Sequence, residues 1–407
     1  MTAAPPVPPP HAAAQDTLRE VVEALAPMER RAGSEGERQA AEWLADRLVR
    51  AGCATEIDEE QFLNGYAKVI GSLAAAGAVA GVAALGKRSR RLGAAAGALV
   101  TAAIAEDVSN GPRVARRALG RPRPTWNVVA SAGDPAGERT LVVLAHHDAA
   151  PTGAIFDDRA QVWVGNRFPG ILERRDTSLP LWWPMIAAPA LVSLGAATHR
   201  RGMTAAGLAG SLLGTAVFAD IARSPIVPGA NDNLTAVAVL VALAERLATE
   251  PVEGLRVVLA SCGAEEVLQG GIHGFVRRRL RALDRERTWV LNLETLGSPK
   301  LIMLEGEGPV VMEDYHDRCF RDLVARTADK AGTPLRRGMR SRASTDAVIP
   351  SRAGYPTATI TSMDRYKALS NYHQMSDTPQ NVDYRTVLQA LVLTEALARE
   401  LAANPWV

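Results

Sequence analysis

The sequence predicts an α/β fold in which a mostly parallel mixed sheet is flanked by helices and carries two inserted apolar helical hairpins. Three observations support this prediction. Short apolar runs rich in Val, Leu and Ile alternate with longer segments whose apolar residues recur at helical spacing. Titratable residues directly follow several of the apolar runs, at the strand ends where ligands bind in such sheets. Four further segments are apolar along nearly their whole length.

The composition is that of a folded protein. The chain has 407 residues, of which 47% are hydrophobic and 22% charged, so a packed core can form. The net charge of +2 gives no indication of a nucleic-acid partner, and none is expected. The three cysteines lie far apart, which predicts neither a disulfide framework nor a CxxC zinc site. The Pro- and Ala-rich residues 1–15 lack the pattern of a signal peptide and are predicted to be a disordered tail before a single domain at residues 16–407.

Strands and helices alternate along that domain. The apolar run LVVLA is typical of a strand buried on both faces, and the helical pattern of residues 34–51 ends at Gly52, a common helix terminator. Strands are predicted at residues 54–62, 126–130, 141–145, 255–261, 288–293, 301–304 and 357–361. Helices are predicted at residues 16–26, 34–51, 234–248, 272–283, 315–331 and 384–402. This alternation indicates a sheet covered on both faces.

Two apolar hairpins, at residues 66–107 and 178–222, interrupt the domain. Each consists of two apolar segments joined by a basic turn, GKRSRR in the first and His-Arg-Arg in the second. Spacings of small residues, as in GAVAG, would let the helices approach closely. The runs are shorter than the roughly 20 residues of a membrane span, so Ala-rich helices on a soluble domain are one interpretation. The charges confined to the turns favour membrane association.

The basic turn of the first hairpin bears on topology. If the hairpins span a bilayer, the Lys87 to Arg91 turn is expected in the cytoplasm, which leaves the bulk of the protein extracytoplasmic. Arg174 and Arg175 before the second hairpin, and the lack of a signal peptide, count against this topology, and a cytoplasmic location is the alternative. The second hairpin lies between His146 and Asp232, so we expect it to anchor or roof a site formed there.

Polar residues cluster at the predicted strand ends. Each has an ordinary interpretation when taken alone, as a helix cap, a surface acid or a loop histidine. Together, carboxylates gathered at one sheet edge would repel each other unless a cation neutralised them. Imidazole and carboxylate ligands suit Zn²⁺, and a shared carboxylate suits two ions. The residues concerned are His146, His147, Asp148, Asp232, Glu265, Glu266, Glu294 and His373.

The order of these motifs, H-x-D, G-A-N-D-N, A-E-E, N-L-E and Y-H…D-T, resembles the di-zinc metallopeptidase family of bacterial leucyl-type aminopeptidases and glutamate carboxypeptidases. The resemblance begins at ERRAGSEGERQAAEWLADRLVRAGC and runs to the last helix, interrupted only by the hairpins. It implies a zinc-exopeptidase fold of the phosphorylase/hydrolase-like type, two Zn²⁺ ions and a short peptide substrate.

The resemblance also implies a ligand set. One zinc would be held by His146, Asp232 and Glu294, and the other by Asp232, Glu266 and His373, with Asp232 bridging the two. Glu294 stands where many members have Asp.

Three further residues are implied to serve catalysis. Glu265 would be the general base, Asp148 would orient His146, and Tyr372 would steady the oxyanion. His147 should point to the other side of its extended segment and is not expected to be a ligand. The loop STDAVIPSRAGYP resembles the wall of the family's substrate pocket, but it has Asp346-Ala347 where the family often has Asp-His.

The predicted function is a zinc-dependent exopeptidase, and an aminopeptidase in particular. One alternative is a glutaminyl-cyclase-like acyl transferase, which uses one zinc on the same fold. Another is a non-catalytic membrane receptor or transport component that retained the fold. The complete set of five ligands argues against both alternatives. The sequence indicates neither the preferred side chain or peptide terminus nor the oligomeric state.

Overall fold

The structure, a computed structural model, describes residues 9–404 and contains a mixed sheet of nine strands. The strands occur in the order β1-β2-β4-β3-β5-β9-β6-β7, and β8 also pairs with β6. Their bounds are β1 Ala54–Asn64, β2 Arg121–Gly133, β3 Arg139–His146, β4 Leu255–Cys262, β5 Thr288–Leu293, β6 Lys300–Glu307, β7 Glu313–Asp314, β8 Arg336–Ser341 and β9 Thr357–Met363.

The centre of the sheet is parallel and its flanks are antiparallel. Strands β4, β3, β5 and β9 run parallel to one another. On one side β1 and β2, and on the other β6, add antiparallel pairs. The carboxyl ends of the four central strands therefore meet at one edge of the sheet, where such folds bind ligands. The predicted mixed α/β sheet is confirmed. Strands β7 and β8 were not predicted, because β7 has two residues and half of the residues of β8 are arginines.

Fourteen α-helices occur among the described residues. They are α1 Pro9–Leu25, α2 Glu35–Arg50, α3 Tyr66–Leu85, α4 Arg90–Val108, α5 Val114–Leu119, α6 Arg159–Arg167, α7 Pro169–Glu173, α8 Trp183–Ala197, α9 Arg201–Ile221, α10 Thr235–Thr249, α11 Ile272–Arg278, α12 Arg318–Lys330, α13 Val348–Arg352 and α14 Tyr384–Ala403.

Helix α1 begins within the segment that the sequence predicted to be a disordered tail. Residues 1–8 lie outside the described residues, but α1 begins at Pro9, so a disordered tail at residues 1–15 is wrong for residues 9–15. The reason is burial: Ala14 joins Leu18 and Val21 in the main core, which extends the helix toward the N-terminus.

Side chains alternate between two cores along β3. Leu141, Val143 and Ala145 belong to the larger core, formed with α1, α2, α10, α12 and α14. Val142 and Leu144 belong to a second core, formed with α11. The strand is thus buried on both faces, which is why the run LVVLA contains no polar residue.

The two apolar hairpins pack against each other as one four-helix bundle. Helix α3 contacts α4, α8 and α9, and α8 also contacts α4 and α9. A Cβ atom added to Gly207 of α9 would lie 2.6 Å from the carbonyl oxygen of Ala188 in α8. One added to Gly97 of α4 would lie 2.9 Å from the oxygen of Pro189. Small residues therefore let these backbones approach closely.

Candidate active site

The central strands deliver the predicted site residues to one edge of the sheet. His146 is the last residue of β3, Glu294 directly follows β5, and Glu265 and Glu266 lie in a short turn after β4. The two remaining ligand candidates, Asp232 and His373, come from loops that precede α10 and α14. The five predicted ligands and the predicted base therefore meet although they span more than half of the chain.

One half of the cluster is centred on the imidazole of His146. Its Nε2 atom lies 3.4 Å from Asp232 Oδ1 and 3.3 Å from Glu294 Oε1. The Oε2 atom of Glu265 is slightly farther away, at 3.9 Å from the same nitrogen. These contacts bring together His146, Asp232 and Glu294, the three residues predicted to hold one zinc.

The other half is centred on His373. Its Nε2 atom lies 3.5 Å from Asp232 Oδ2 and 3.1 Å from Glu266 Oε2. The two carboxylate oxygens of Asp232 thus face different imidazoles, as a residue shared by two ions would require. Ligand atoms of His146, Asp232 and Glu266 all lie within 4.8 Å of one another, so this group could hold a metal ion.

The polar atoms of the cluster fit a cation. Glu266 Oε1 and Glu294 Oε2 are buried and have no hydrogen-bond partner among the described residues. A buried carboxylate oxygen without a partner costs about 1–3 kcal/mol or more, and a coordinated cation would remove that cost. Imidazole nitrogens together with carboxylate oxygens are a ligand set that suits Zn²⁺.

The pKa values show how negative the cluster is. Burial alone would lower the pKa of His373, but Glu266 and Asp232 outweigh it and raise that pKa to about 10. The pKa of His146 is likewise raised, against burial, by Glu294, Asp148 and Asp232. Burial raises the pKa of the Glu265 carboxyl well above its ordinary value. A field that binds protons this strongly also attracts divalent cations.

Asp148 contacts both His146 and the turn that carries two of the acids. Its Oδ1 atom lies 3.3 Å from His146 Nδ1, on the side of the ring away from Asp232. The same carboxylate accepts hydrogen bonds from the backbone N–H groups of Glu265 at 3.0 Å and Glu266 at 3.1 Å. The first contact was predicted from the H-x-D spacing; the second could not be, because it joins distant segments.

His147 lies outside the cluster. Its Nδ1 atom is 2.9 Å from the hydroxyl oxygen of Ser261, and burial lowers its pKa to about 4, so the ring is neutral at pH 7. The buried guanidinium of Arg30 donates from Nε to the carbonyl oxygen of His147 at 2.8 Å and from Nη2 to that of Pro228 at 2.8 Å. Arg30 thereby ties the end of β3 to the loop that carries Asp232.

Asp377 has a supporting role that sequence reasoning missed. Its carboxylate accepts hydrogen bonds from the backbone N–H groups of Asn231 at 2.7 Å and Asp232 at 3.1 Å, which holds the backbone at Asp232 in place. The signal was present, because Asp377 is the aspartate of the D-T pair in the final motif. Its contact with Asp232 crosses more than 140 residues and is visible only in the folded chain.

Tyr372 lies beside the cluster through its ring. The ring stacks on that of His373, with centroids 3.9 Å apart and planes 23° apart, and meets the edge of Phe156 at 5.9 Å. Burial and the neighbouring Glu266 raise the pKa of its hydroxyl well above the ordinary value, so it remains protonated. It can donate a hydrogen bond, and its oxyanion role stays a prediction.

Comparison with known proteins agrees with the resemblance seen in the order of the motifs. The family model of peptidase family M28 matches residues 215–397, a range that contains Asp232, Glu265, Glu266, Glu294 and His373. The resemblance to this peptidase family is thereby confirmed. No curated protein matches the sequence.

Solved structures of the same fold include two aminopeptidases and a cyclase. An aminopeptidase from Aneurinibacillus sp. strain AM-1 is 14% identical with a TM-score of 0.56, over 95% of this chain and 94% of that one. BSAP, a zinc aminopeptidase from Bacillus subtilis, is 14% identical with a TM-score of 0.53, over 96% and 94%. The glutaminyl cyclase from Bacteroides thetaiotaomicron is 13% identical with a TM-score of 0.56, over 95% and 97%. At these identities the likeness shows the fold.

Proposed function

We propose that this chain, which resembles peptidase family M28, is a zinc-dependent exopeptidase, and an aminopeptidase in particular, that hydrolyses terminal bonds of short peptides. The observation that carries the proposal is the geometry of Asp232. Its two oxygens face the imidazoles of His146 and His373, and each imidazole has a further carboxylate beside it. This arrangement would provide three ligands for each of two Zn²⁺ ions through a shared residue.

The proposed ligands fall into two sets, one for each zinc ion, as the resemblance of the motifs implies. His146, Asp232 and Glu294 would hold one zinc, and Asp232, Glu266 and His373 the other. When bound, a pair of zinc ions supplies Lewis acidity, which lowers the pKa of water and polarises the carbonyl of the scissile bond. Asp148 holds the His146 ring from behind, and Asp377 holds the backbone of Asp232.

Glu265 is the residue proposed to move the proton. Its Oε2 atom lies 3.9 Å from His146 Nε2, close to the ligands without belonging to either set. The carboxylate takes a proton from the attacking water as the water oxygen bonds to the carbonyl carbon. It then passes that proton to the departing amine as the C–N bond breaks. Tyr372, protonated and beside His373, would donate a hydrogen bond to the oxygen that gains negative charge.

Substitution of the base tests the proposal. Glu265→Gln should lower kcat by roughly 100-fold or more on a panel of aminoacyl and carboxyl-terminal peptide substrates, because general-base catalysis contributes about that much. Zinc content should stay at two per chain, since Glu265 is not a ligand. Glu253→Gln, an exposed site, is the control and should leave both unchanged. Full activity of Glu265→Gln would show that another group is the base.

A glutaminyl-cyclase-like acyl transferase is the second candidate, because a glutaminyl cyclase has the same fold. That reaction releases ammonia from an N-terminal glutamine and needs no water, and it is expected with one zinc. A stoichiometry of one zinc together with cyclisation activity would favour it. Tightly bound zinc without turnover of any substrate would instead favour the non-catalytic membrane component.

We also propose that the four-helix bundle associates with a membrane. Helices α3 and α9 are the described helices long and apolar enough to cross a bilayer, which by itself is weak support. The outward side chains add to it, because many are large and apolar. They include Val79, Val82, Leu92, Leu99, Leu194, Leu212 and Leu213, each more than half exposed. Binding to lipid vesicles tests this association.

The basic turns of the two hairpins lie at the same end of the bundle. Arg201 at the start of α9 places Nη2 3.5 Å from the carbonyl oxygen of Leu85 at the end of α3. Lys87, Arg88 and other basic residues of both turns are therefore close together, where they suit anionic headgroups. If the bundle spans, the positive-inside rule puts this end in the cytoplasm and the peptidase domain outside. A cytoplasmic peptidase domain is the alternative.

The opposite end of the bundle borders the candidate site. Asp220 near the end of α9 accepts the backbone N–H of Ala154 at 2.8 Å. Two residues on, the ring of Phe156 lies 4.5 Å from that of His373. The second hairpin thus holds a segment that covers one side of His373, which supports its proposed role in roofing the site and restricting access to small substrates.

A further inference from the structure

The side chain of Gln269 holds one oxygen of the proposed base. Gln269 lies four residues after Glu265 and is only 2% exposed. Its Nε2 atom donates to Glu265 Oε1 at 2.9 Å and to the carbonyl oxygen of Ser344 at 2.8 Å. Glu265 Oε2, the oxygen nearer His146, therefore remains free to take the proton of the attacking water. Gln269 matches none of the motifs considered in the sequence.

The orientation of the Gln269 amide is set from its other end. Its Oε1 atom accepts a hydrogen bond from Asn110 Nδ2 at 2.8 Å. The Oδ1 atom of Asn110 in turn accepts from the Arg113 guanidinium. Each amide therefore accepts on the side of Arg113 and donates on the side of Glu265. Because the guanidinium can only donate, the chain has one direction, and a flipped amide would place oxygen against oxygen.

Residues that follow α4 also form hydrogen bonds with the backbone around Gln269. Leu268 and Gln269 both adopt left-handed conformations, with φ of 66° and 57°, which non-glycine residues rarely take unless their surroundings impose them. The Arg113 guanidinium donates to the carbonyl oxygen of Leu268. Arg116 Nη1 donates to that of Val267 at 3.2 Å. Segment 110–116 therefore supports both the backbone and the side chain of this turn.

Segment 110–116 is in turn fastened to the first hairpin. Arg116 makes a bidentate contact with Asp107 in the last turn of α4, at 2.9 and 2.7 Å, and both side chains are fully buried. Such a pair resists separation, because either charge left alone in the interior would cost several kcal/mol. The end of α4 and the turn that carries Glu265 are thus one connected polar structure.

We propose that Gln269 is a positioning residue for Glu265, and that the chain Arg113–Asn110–Gln269 makes the placement of this base depend on the seating of the first hairpin. The inference rests on the proposed function, in which Glu265 moves the proton. A general base must come within about 2.6–3.2 Å of the proton that it takes. A glutamate side chain has several rotatable bonds, so a fixed donor on one oxygen keeps the other aimed at the reacting water.

Gln269→Met tests the positioning role, since it removes the amide and keeps the length and shape of the side chain. We expect kcat to fall by about 10–100-fold, the usual effect of losing an orienting partner, with KM within about twofold of the unmodified enzyme. Zinc content should not change. The matched control is Gln39→Met, which also removes a Gln-to-Glu hydrogen bond, of 3.2 Å on exposed α2, and should leave kcat unchanged.

Asn110→Asp tests the chain without disturbing a buried residue. It keeps the contact with Arg113 but replaces the donor to Gln269 with an acceptor, so the Gln269 amide should turn its Nε2 away from Glu265. We expect kcat to fall with KM and zinc content unchanged, and the effect to vanish in the Gln269→Met background, because the two changes then break the same contact.

Three results would overturn the inference. They are a kcat for Gln269→Met within about twofold of the unmodified enzyme, a fall in kcat that follows zinc loss, and full additivity of the two substitutions. These outcomes are distinct from failure of the proposed function, which would appear as an unmodified, zinc-loaded enzyme without peptide hydrolysis. That failure would remove the inference as well.

Discussion

Neighbouring residues at the end of β3 have different environments. His146 faces Asp232 and Glu294 in the polar cluster, while His147 contacts Ser261 and is fully buried. The difference follows from the extended backbone, in which successive side chains point to opposite sides. The two adjacent histidines therefore lie on opposite sides of the strand end, as strand geometry predicts.

Alanine substitutions at these two positions should separate zinc binding from stability. His146→Ala should lose zinc, because it removes a proposed ligand. His147→Ala should keep zinc while its unfolding free energy falls by about 2–4 kcal/mol from the cavity that it leaves. Metal analysis and denaturant unfolding of both variants measure the two effects. Equal zinc loss from both would contradict the assignment of His147 outside the metal site.

Among the elements, the apolar hairpins depend most on partners that are distant in sequence. The helices themselves follow from their composition, and the small residues indicate close approach. Which helix each small residue meets depends on the fold. Gly207 of α9 faces Ala188 and Val192 of α8, while a Cβ atom added to Gly202 of the same helix would have no neighbour within 4 Å. Glycines of one helix therefore differ in what they allow.

Gly207→Ala and Gly202→Ala should have opposite effects on the bundle. A Cβ atom at Gly207 would lie 2.6 Å from two backbone atoms of α8, so the helices must separate, and we expect a loss of roughly 1–3 kcal/mol in unfolding free energy. At Gly202 the added methyl group meets nothing and restricts the unfolded chain, so stability should rise by a few tenths of a kcal/mol to about 1. Denaturant unfolding of the two variants measures this. An equal effect at both positions would contradict the close α8–α9 contact.

At the scale of the whole molecule, the bundle joins two surfaces of different kinds. One end borders the candidate site through Asp220 and Phe156, and the other carries the basic turns. Between them lie the exposed apolar side chains, which a soluble protein rarely presents in large patches. This arrangement supports the proposal that the bundle holds the α/β domain against a membrane on the side of the candidate site.

Charged substitutions on the bundle should release the protein from vesicles that contain anionic lipid. Leu99→Arg combined with Leu213→Arg places two charges at positions 72% and 66% exposed, each of which would cost about 2.5–3.5 kcal/mol at the centre of a bilayer. We expect binding in a flotation assay to weaken by about 100-fold or more. Val49→Arg with Val311→Arg, at exposed sites outside the bundle, is the control and should bind normally. An unmodified protein that does not bind vesicles would show that the bundle is scaffolding.

The kinds of elements and the candidate ligands could be predicted from sequence because both depend on local pattern. Strands such as Leu141 to Ala145 are recognisable by their unbroken apolar run, and titratable residues at the strand ends, His146 and Glu294 among them, mark the expected edge. The order of the motifs resembles that of a known metallopeptidase family, and this resemblance implied the set of candidate ligands. The error at residues 9–15 arose where Pro and Ala content suggested disorder and contacts with the core imposed a helix.

The supporting contacts could not be predicted, because each joins segments far apart in the chain. Asp148 accepts from the turn at Glu265, Asp377 fixes Asp232, and Asn110 reaches Gln269 across 159 residues. The packing of the two hairpins into one four-helix bundle could not be predicted for the same reason, because it also joins distant segments. Periodicity reports which face of an element is buried, whereas the partner that buries it depends on how the complete chain packs.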